Sequence, residues 1–145
     1  MPKIRVEIEI RPTEDPAKIE RALRNVFEPD KIRIEERSSG YKILVAESYS
    51  YRSLLKIHDL IRRERILDAA RNILRKGVMG NMIIFKINKQ AALQGRLSFV
   101  ESDSESPLGP ITFIVETDNP YEVIDWLAPR TSKGRPLWER EIPRD

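Results

Sequence analysis

Cysteine is absent from the 145 residues, and histidine occurs once. The first absence removes disulfides, thiolate zinc sites and cysteine nucleophiles. The second leaves one imidazole and no multi-histidine metal site. No apolar run approaches the roughly 18 residues that a membrane-spanning helix requires. The opening MPKIRVEIEI lacks the apolar core of a secretory signal. No Gly-rich phosphate loop of either nucleotide-binding type is present. These absences leave the expectation of a soluble cytoplasmic protein, with no cofactor, no metal, no membrane partner and no small-molecule substrate. The length suits one domain with its own core. A net charge of +3 is too small to name a partner by itself.

The pattern of what is present is clear at the start of the chain. Ile4, Val6, Ile8 and Ile10 alternate with Lys3, Arg5, Glu7, Glu9 and Arg11, which predicts a half-buried strand over 3–11. Asp15-Pro16 is a cap followed by a Pro suited to the first helical position. Ile19, Ala22, Leu23, Val26 and Phe27 then recur at helical spacing, and Pro29-Asp30 ends the helix. Strands from Ile32 and over Tyr41 to Glu47, separated by the turn Ser38-Ser39-Gly40, predict a hairpin.

Residues 50–76 read as helical, but the apolar phase breaks. Leu54, Ile57 and Ile61 share one face, and Ile66, Leu67, Ala70, Ile73 and Leu74 share another. Two helices, or one kinked helix, are expected, joined near Asp59 to Arg63 and closed by Gly77. Beyond it come a strand over Met82 to Asn88, a short helical turn or loop over Gln90 to Gln94 and a strand over Arg96 to Val100. An acidic loop from Glu101 to Gly109 precedes a strand over Ile111 to Glu116. Asn119-Pro120 opens a last helix, stopped by Pro129. Residues 130–145 read as a loosely packed tail. The order β-α-β-β-α-α-β-β-β-α predicts an α+β fold: a two-layer sandwich, mostly antiparallel, with helices on one face. A single domain over 1–145 is expected.

The small net charge hides segregation. Residues 1–49 are neutral overall, 50–98 carry a net +8 and 99–145 a net −5. On the helix ending at Lys76, Arg65, Arg71, Arg75 and Lys76 fall opposite the apolar stripe, with Glu64 and Asp68 among them. Arg62 and Arg63 lie at the expected break. Lys86, Lys89 and Arg96 follow, with no acidic residue between 77 and 98. Arginine matches phosphate oxygens with a planar fork, and a surface that displaces counterions suits nucleic acid. Helical pairing of the same arginines with Glu64 and Asp68 is the competing explanation. So is a thermostable, Arg-rich, Asn/Gln-poor composition.

Other motifs carry less. Gly77-Val78-Met79-Gly80 has the GxxG spacing of a KH loop, but a helix precedes it and a strand follows. His58 has no evident partner, and Ser48, Ser50 and Ser53 form no nucleophile elbow. Glu101, Asp103 and Glu105 lack the Gly and terminal Glu of a calcium loop. Glu7 and Glu9 share a strand face, where Arg5 and Arg11 favour cross-strand ion pairs over a nuclease centre. Tyr49 and Tyr51 can stack bases or seat the helix on the sheet. Trp126 fits the core. Trp138, beside Arg135 and Arg140, suggests that the tail docks on something: the body, a second subunit or RNA.

Four stretches together resemble a known family. They are Ile66-Leu67-Asp68-Ala69-Ala70-Arg71, Phe85-Lys86-Ile87-Asn88-Lys89-Gln90-Ala91-Ala92, Pro107-Leu108-Gly109-Pro110-Ile111 and Ile124-Asp125-Trp126-Leu127-Ala128-Pro129. Their order and spacing resemble the archaeal uncharacterised protein family 0201 over essentially the whole chain. The resemblance implies an α+β domain similar in fold to the ribosomal protein that carries 5S ribosomal RNA. It further implies no catalysis, an RNA partner and a place as an accessory of RNA processing, ribosome or exosome function. The family brings no agreed binding residues, so the charge map supplies them: Arg62, Arg63, Arg65, Arg71, Arg75, Lys76, Lys86, Lys89 and Arg96. Asn88 and Gln90 join them because polar side chains at a strand end reach phosphates and base edges. Asn88 is also placed to cap the following turn.

The expected function is therefore non-catalytic binding of structured RNA. An assembly subunit, with basic 50–98 of one chain meeting acidic 99–145 of another in a homodimer, is the alternative. A metal-dependent nuclease using Glu7, Glu9 or the acidic loop is a third reading.

Overall fold

The computed structural model describes the backbone of all 145 residues and every side chain except that of Asp103. Strand β1 (Lys3–Ile10) has the predicted alternation, with Ile4, Val6, Ile8 and Ile10 buried. Helix α1 (Pro16–Val26) starts where expected. The Asp15 carboxylate accepts a hydrogen bond from the Ala17 N–H, and Pro16 occupies the first turn. Strands β2 (Lys31–Glu36) and β3 (Lys42–Ser48) form the hairpin.

The long helical region divides into α2 (Leu55–Arg63) and α3 (Leu67–Lys76). The break lies at 64–66, just beyond the expected position, where Arg65 adopts a left-handed backbone with φ of 57°. Gly77 ends α3 against β5 (Met82–Asn88), and its N–H closes onto Ile73 and Leu74 carbonyls. A Cβ on Gly77 would sit 2.0 Å from the Ile84 carbonyl oxygen, so only glycine permits this approach.

The GxxG motif resolves into a hairpin. Its strand β4 (Val78–Met79) pairs with the start of β5, and Gly80 turns with φ of 60°. Helix α4 (Lys89–Leu93) follows, capped by Asn88, whose side chain accepts from the Ala91 N–H. The strand expected over 96–100 contracts to β6 (Phe99–Val100). The Arg96 N–H is spent on the Ala91 carbonyl at the end of α4, so the chain meets β5 only from Ser98, whose carbonyl accepts from the Asn88 N–H. Strand β7 (Pro110–Glu116) and helix α5 (Pro120–Leu127) complete the larger elements.

The main sheet runs β2-β3-β1-β7-β5-β4, with β6 joined to β5 and every pair antiparallel. The fold is thus α+β, as expected. Val6 stands opposite Ala46 and Phe113, and Phe113 opposite Phe85, so one row of core residues crosses the sheet centre. Phe113 stacks on Phe85 at 4.8 Å and meets Phe27 of the segment after α1 edge-on at 5.8 Å. Helices supply Leu23, Ile57, Ile61, Leu74 and Trp126 to the same cluster. The other sheet face carries Arg5, Glu7, Glu9 and Glu47, half-buried or buried. Its ion pairs run along strands as well as across them: Arg5–Glu7 and Arg11–Glu9 lie within the β1 segment, while Arg33 of β2 reaches Glu47 of β3.

The segment 130–145, expected as a loosely packed tail, is exposed at most positions and anchored at a few. Strands β8 (Thr131–Ser132) and β9 (Arg135–Pro136) form a small hairpin. Ile142 packs on the core, and Pro143 is buried. The Asp145 carboxylate accepts from the Tyr51 N–H at 2.8 Å. Trp138 carries Arg140 over its ring at 4.3 Å. Charge and backbone contacts, rather than apolar periodicity, hold this segment to the body.

Candidate nucleic-acid interface

The structure sorts the predicted contact residues by what their side chains already touch. Arg62 is wholly committed. Its Nε and Nη2 donate to the two Glu139 carboxylate oxygens at 3.1 and 2.7 Å. Nη1 donates to the His58 and Leu127 carbonyls, and Nη2 also to that of Trp126. A guanidinium has five N–H donors, and all five are used. Arg71 donates to Asp125 at 2.9 Å and to the Ala128 carbonyl at 3.0 Å. The final carbonyls of a helix lack helical partners and carry the negative end of its dipole. Arg62 and Arg71 therefore cap α5.

Lys89 is committed as well, and is only 3% exposed. Its ammonium donates to Glu14, to the Glu9 carbonyl at 2.9 Å and to the Leu108 carbonyl. Burial pushes its pKa below the usual lysine value, against the opposing pull of the Glu14 carboxylate. Asn88 caps α4 and also donates to the Glu105 carbonyl. Gln90 is exposed at the same helix start.

Two further residues sit on the surface with partial commitments. Arg96 pairs with Glu64 at 3.2 Å, and this hydrogen bond holds the Glu64 carboxyl below its ordinary range. Arg63 donates to the Gly95 carbonyl. Residues 63–64 and 95–96 are thereby neighbours. Lys76 and Lys86 also come together, lining one cleft of about 350 Å³ with Gly77 and Glu101. The 62–76 and 86–96 segments thus meet at two places, and Lys89 and Asn88 stand apart at the α4 start.

Among the described residues, Arg65, Arg75 and Lys76 are exposed and make no ion pair. Two cations outside the predicted set, Lys133 and Arg135, stand beside Arg65 across a cleft.

The remaining candidates have structural roles. The His58 ring stacks on Trp126 at 5.2 Å, and its Nδ1 meets Asp59. Tyr51 is buried, with its hydroxyl 2.6 Å from the Thr117 hydroxyl, and burial raises its pKa. Tyr49 lies under Lys31 at 5.8 Å. Among the described residues no group of three or more Asp, Glu or His is placed to hold a metal ion. The Asp103 side chain of the acidic-loop reading lies outside them. No helix is long and apolar enough to cross a membrane.

Part of the charge complementarity between 50–98 and 99–145 is met within one chain. Arg62–Glu139 and Arg71–Asp125 join the two segments directly. Glu139 and Asp125 are thereby matched within the chain and are not available to a second copy.

Fold and surface define an α+β protein with helices over one sheet face and a cationic outer helix. A family model described as RNA binding matches residues 3–117, and the chain belongs to that family, the archaeal UPF0201 proteins. It is 52% identical to a UPF0201 protein of Sulfurisphaera tokodaii, over 100% of this chain and 99% of the relative. A UPF0201 protein of Aeropyrum pernix is 52% identical over 97% of this chain and 94% of its own length. The crystal structure of a UPF0201 protein from Methanococcus jannaschii superposes with a TM-score of 0.82 at 30% identity. The match covers 93% of this chain and 98% of that one. A DUF54 protein from Methanothermobacter thermautotrophicus shares the fold, at a TM-score of 0.61 and 20% identity over 87% and 96% of the two chains.

Proposed function

We propose that this protein binds structured RNA through the phosphate backbone, without catalysing a reaction, as an accessory of RNA processing. The observation that carries the reading is the set of unpaired, exposed cations on and beside α3: Arg65, Arg75 and Lys76. Among the described residues they make no ion pair, while the neighbouring Arg62 and Lys89 are consumed by the fold and Arg71 is held to Asp125 and Ala128 through Nη1. The family description supports RNA as the partner. Lys76 and Lys86 share a cleft at the far end of α3, and Arg63, Gln90 and Arg96 supply further polar surface. Lysine and arginine without base-reading aromatics favour recognition by shape and charge.

The test is anisotropy of a labelled RNA hairpin at rising salt. Binding is expected to weaken steeply with salt, because each phosphate contact releases counterions. Arg75→Glu with Lys76→Glu is expected to weaken it at least tenfold with the fold intact. No binding by the native protein at low salt refutes the reading, and unchanged affinity of the double variant refutes this face.

A further inference from the structure

The α2–α3 turn and the β8–β9 hairpin enclose a cleft of about 470 Å³, within the size range of ligand sites. Arg62, Arg65, Lys133 and Arg135 line it, with Leu67 and Pro136, and no carboxylate is among the lining residues. Glu139 neutralises Arg62 and fixes it. Arg65, Lys133 and Arg135 have no ion pair among the described residues. The nearest carboxylate on α3, Asp68, is engaged by the Thr131 hydroxyl, which ties the hairpin to the helix.

The backbone at both walls is left-handed because Lys133 and Gly134 form the two-residue β8–β9 turn and Arg65 ends α2. Arg65 has φ of 57° and Lys133 φ of 52°, one on each wall of the cleft. Left-handed backbone favours glycine or asparagine, and a long cationic side chain there carries a conformational cost. Both walls thus hold a cation in a conformation that favours another residue. Like charges gathered around an open cleft repel, and a bound anion removes that repulsion. Guanidinium and ammonium donors on facing walls match tetrahedral phosphate oxygens.

We propose that this cleft is a phosphate-binding site that seats an internal phosphodiester of the RNA strand, with Arg65, Lys133 and Arg135 as its ligands. The proposal rests on the RNA reading and adds a site two of whose ligands lie beyond the residues 3–117 that the family model spans. Arg65 lies beyond one end of α3, while Lys76 closes the other end, so a strand lying along the helix reaches both clefts.

The test compares two charge-matched double variants of the full chain. Lys133→Gly with Arg135→Gln removes two of the three cationic ligands, and the glycine relaxes the left-handed turn, so the fold is kept. Lys18→Gln with Arg21→Gln removes the same charge from exposed sites on α1. Binding of a 5′-hydroxyl RNA hairpin is measured from about 50 to about 200 mM salt. The cleft variant is expected to lose at least about tenfold in affinity and to flatten the salt slope by roughly one contact or more. The α1 variant is expected to stay within about twofold. Equal losses in the two variants overturn the cleft while leaving RNA binding standing. Absence of RNA binding by the native protein overturns the RNA reading and the cleft assignment together. Inorganic phosphate and a 5′-phosphorylated hairpin form the last arms. A tenfold preference for the 5′-phosphate, or saturable phosphate binding at Gly134 with RNA affinity unchanged in the cleft variant, overturns the internal phosphodiester assignment.

Discussion

Replacing Arg62 by Met is expected to destabilise the protein by about 4 kcal/mol at neutral pH, although Arg62 is one of the cations that the charge map marks for RNA. The figure follows from its five donors. Three go to the His58, Trp126 and Leu127 carbonyls, at distances of 2.8 to 3.2 Å. A net contribution of about 1 kcal/mol for each such bond is typical, and the unmet α5 carbonyls lose a cation at the negative end of the helix. The fork to Glu139 adds about 1 kcal/mol at most, since the Glu139 side chain is 50% exposed and that of Arg62 21%. For a chain of this size, about 4 kcal/mol lowers Tm by roughly 8–16 °C. Arg62→Lys keeps the charge but offers at most three donors without the planar fork, so it is expected to lose about 2 kcal/mol. Glu139→Gln is expected to lose about 1 kcal/mol or less. Urea unfolding of the three variants measures these values. A loss below about 1 kcal/mol for Arg62→Met refutes the assignment of Arg62 to the fold. So does a Lys variant as stable as the native protein.

Other consequences follow from the same contacts. Lys89→Met leaves the Glu14 carboxylate, 10% exposed, without its cation and is expected to cost about 3 kcal/mol by urea unfolding. Gly77→Ala drives a Cβ into the Ile84 carbonyl and is expected to cost at least about 2 kcal/mol. Gly80→Ala meets open space and bears only the left-handed backbone, about 1 kcal/mol, so the order of the two Tm values checks the close approach. The Arg62 hydrogen bond holds the Glu139 carboxyl below its ordinary range. Its stabilisation is therefore complete above the unfolded pKa of about 4.3 and is lost as pH falls through the lower folded value. The stability difference between the native protein and Glu139→Gln, read by thermal melts, is expected to shrink below about pH 4; a constant difference refutes the link.

Elements built on a repeating apolar face were legible in the sequence. The alternation from Ile4 to Ile10 and the Asp15-Pro16 start of α1 are properties of neighbouring residues, so no distant contact was needed to read them. The division of 50–76 was legible from the change of apolar phase, but its position was not. Arg65 makes the break through a left-handed backbone, and no Gly or Pro marks the spot. The anchors of the tail were not legible, for the opposite reason. They are an ion pair from Glu139, a carboxylate at Asp145 and one buried Pro143, none of which is periodic.

The site was harder to read than the fold because charge in a sequence carries no record of who consumes it. Arg71 and Arg75 lie one helical turn apart on α3 and look equivalent as letters. Arg71 turns towards α5 and is spent on Asp125 and Ala128, while Arg75 is exposed and unpaired. Reversing Arg71 to Glu therefore sets a carboxylate against Asp125 and α5 carbonyls, so that variant tests the fold and the RNA contact together. The net +8 of residues 50–98 is accordingly an upper bound on what a partner meets. The net −5 of the C-terminal segment is likewise an average over two kinds of residue. Glu139 and Asp125 answer cations of the middle segment, whereas Lys133 and Arg135 add to the surface that those cations leave. The useful electrostatic quantity is thus the charge left after internal pairing, and Arg65, Arg75 and Lys76 are the part of it that lies on and beside α3.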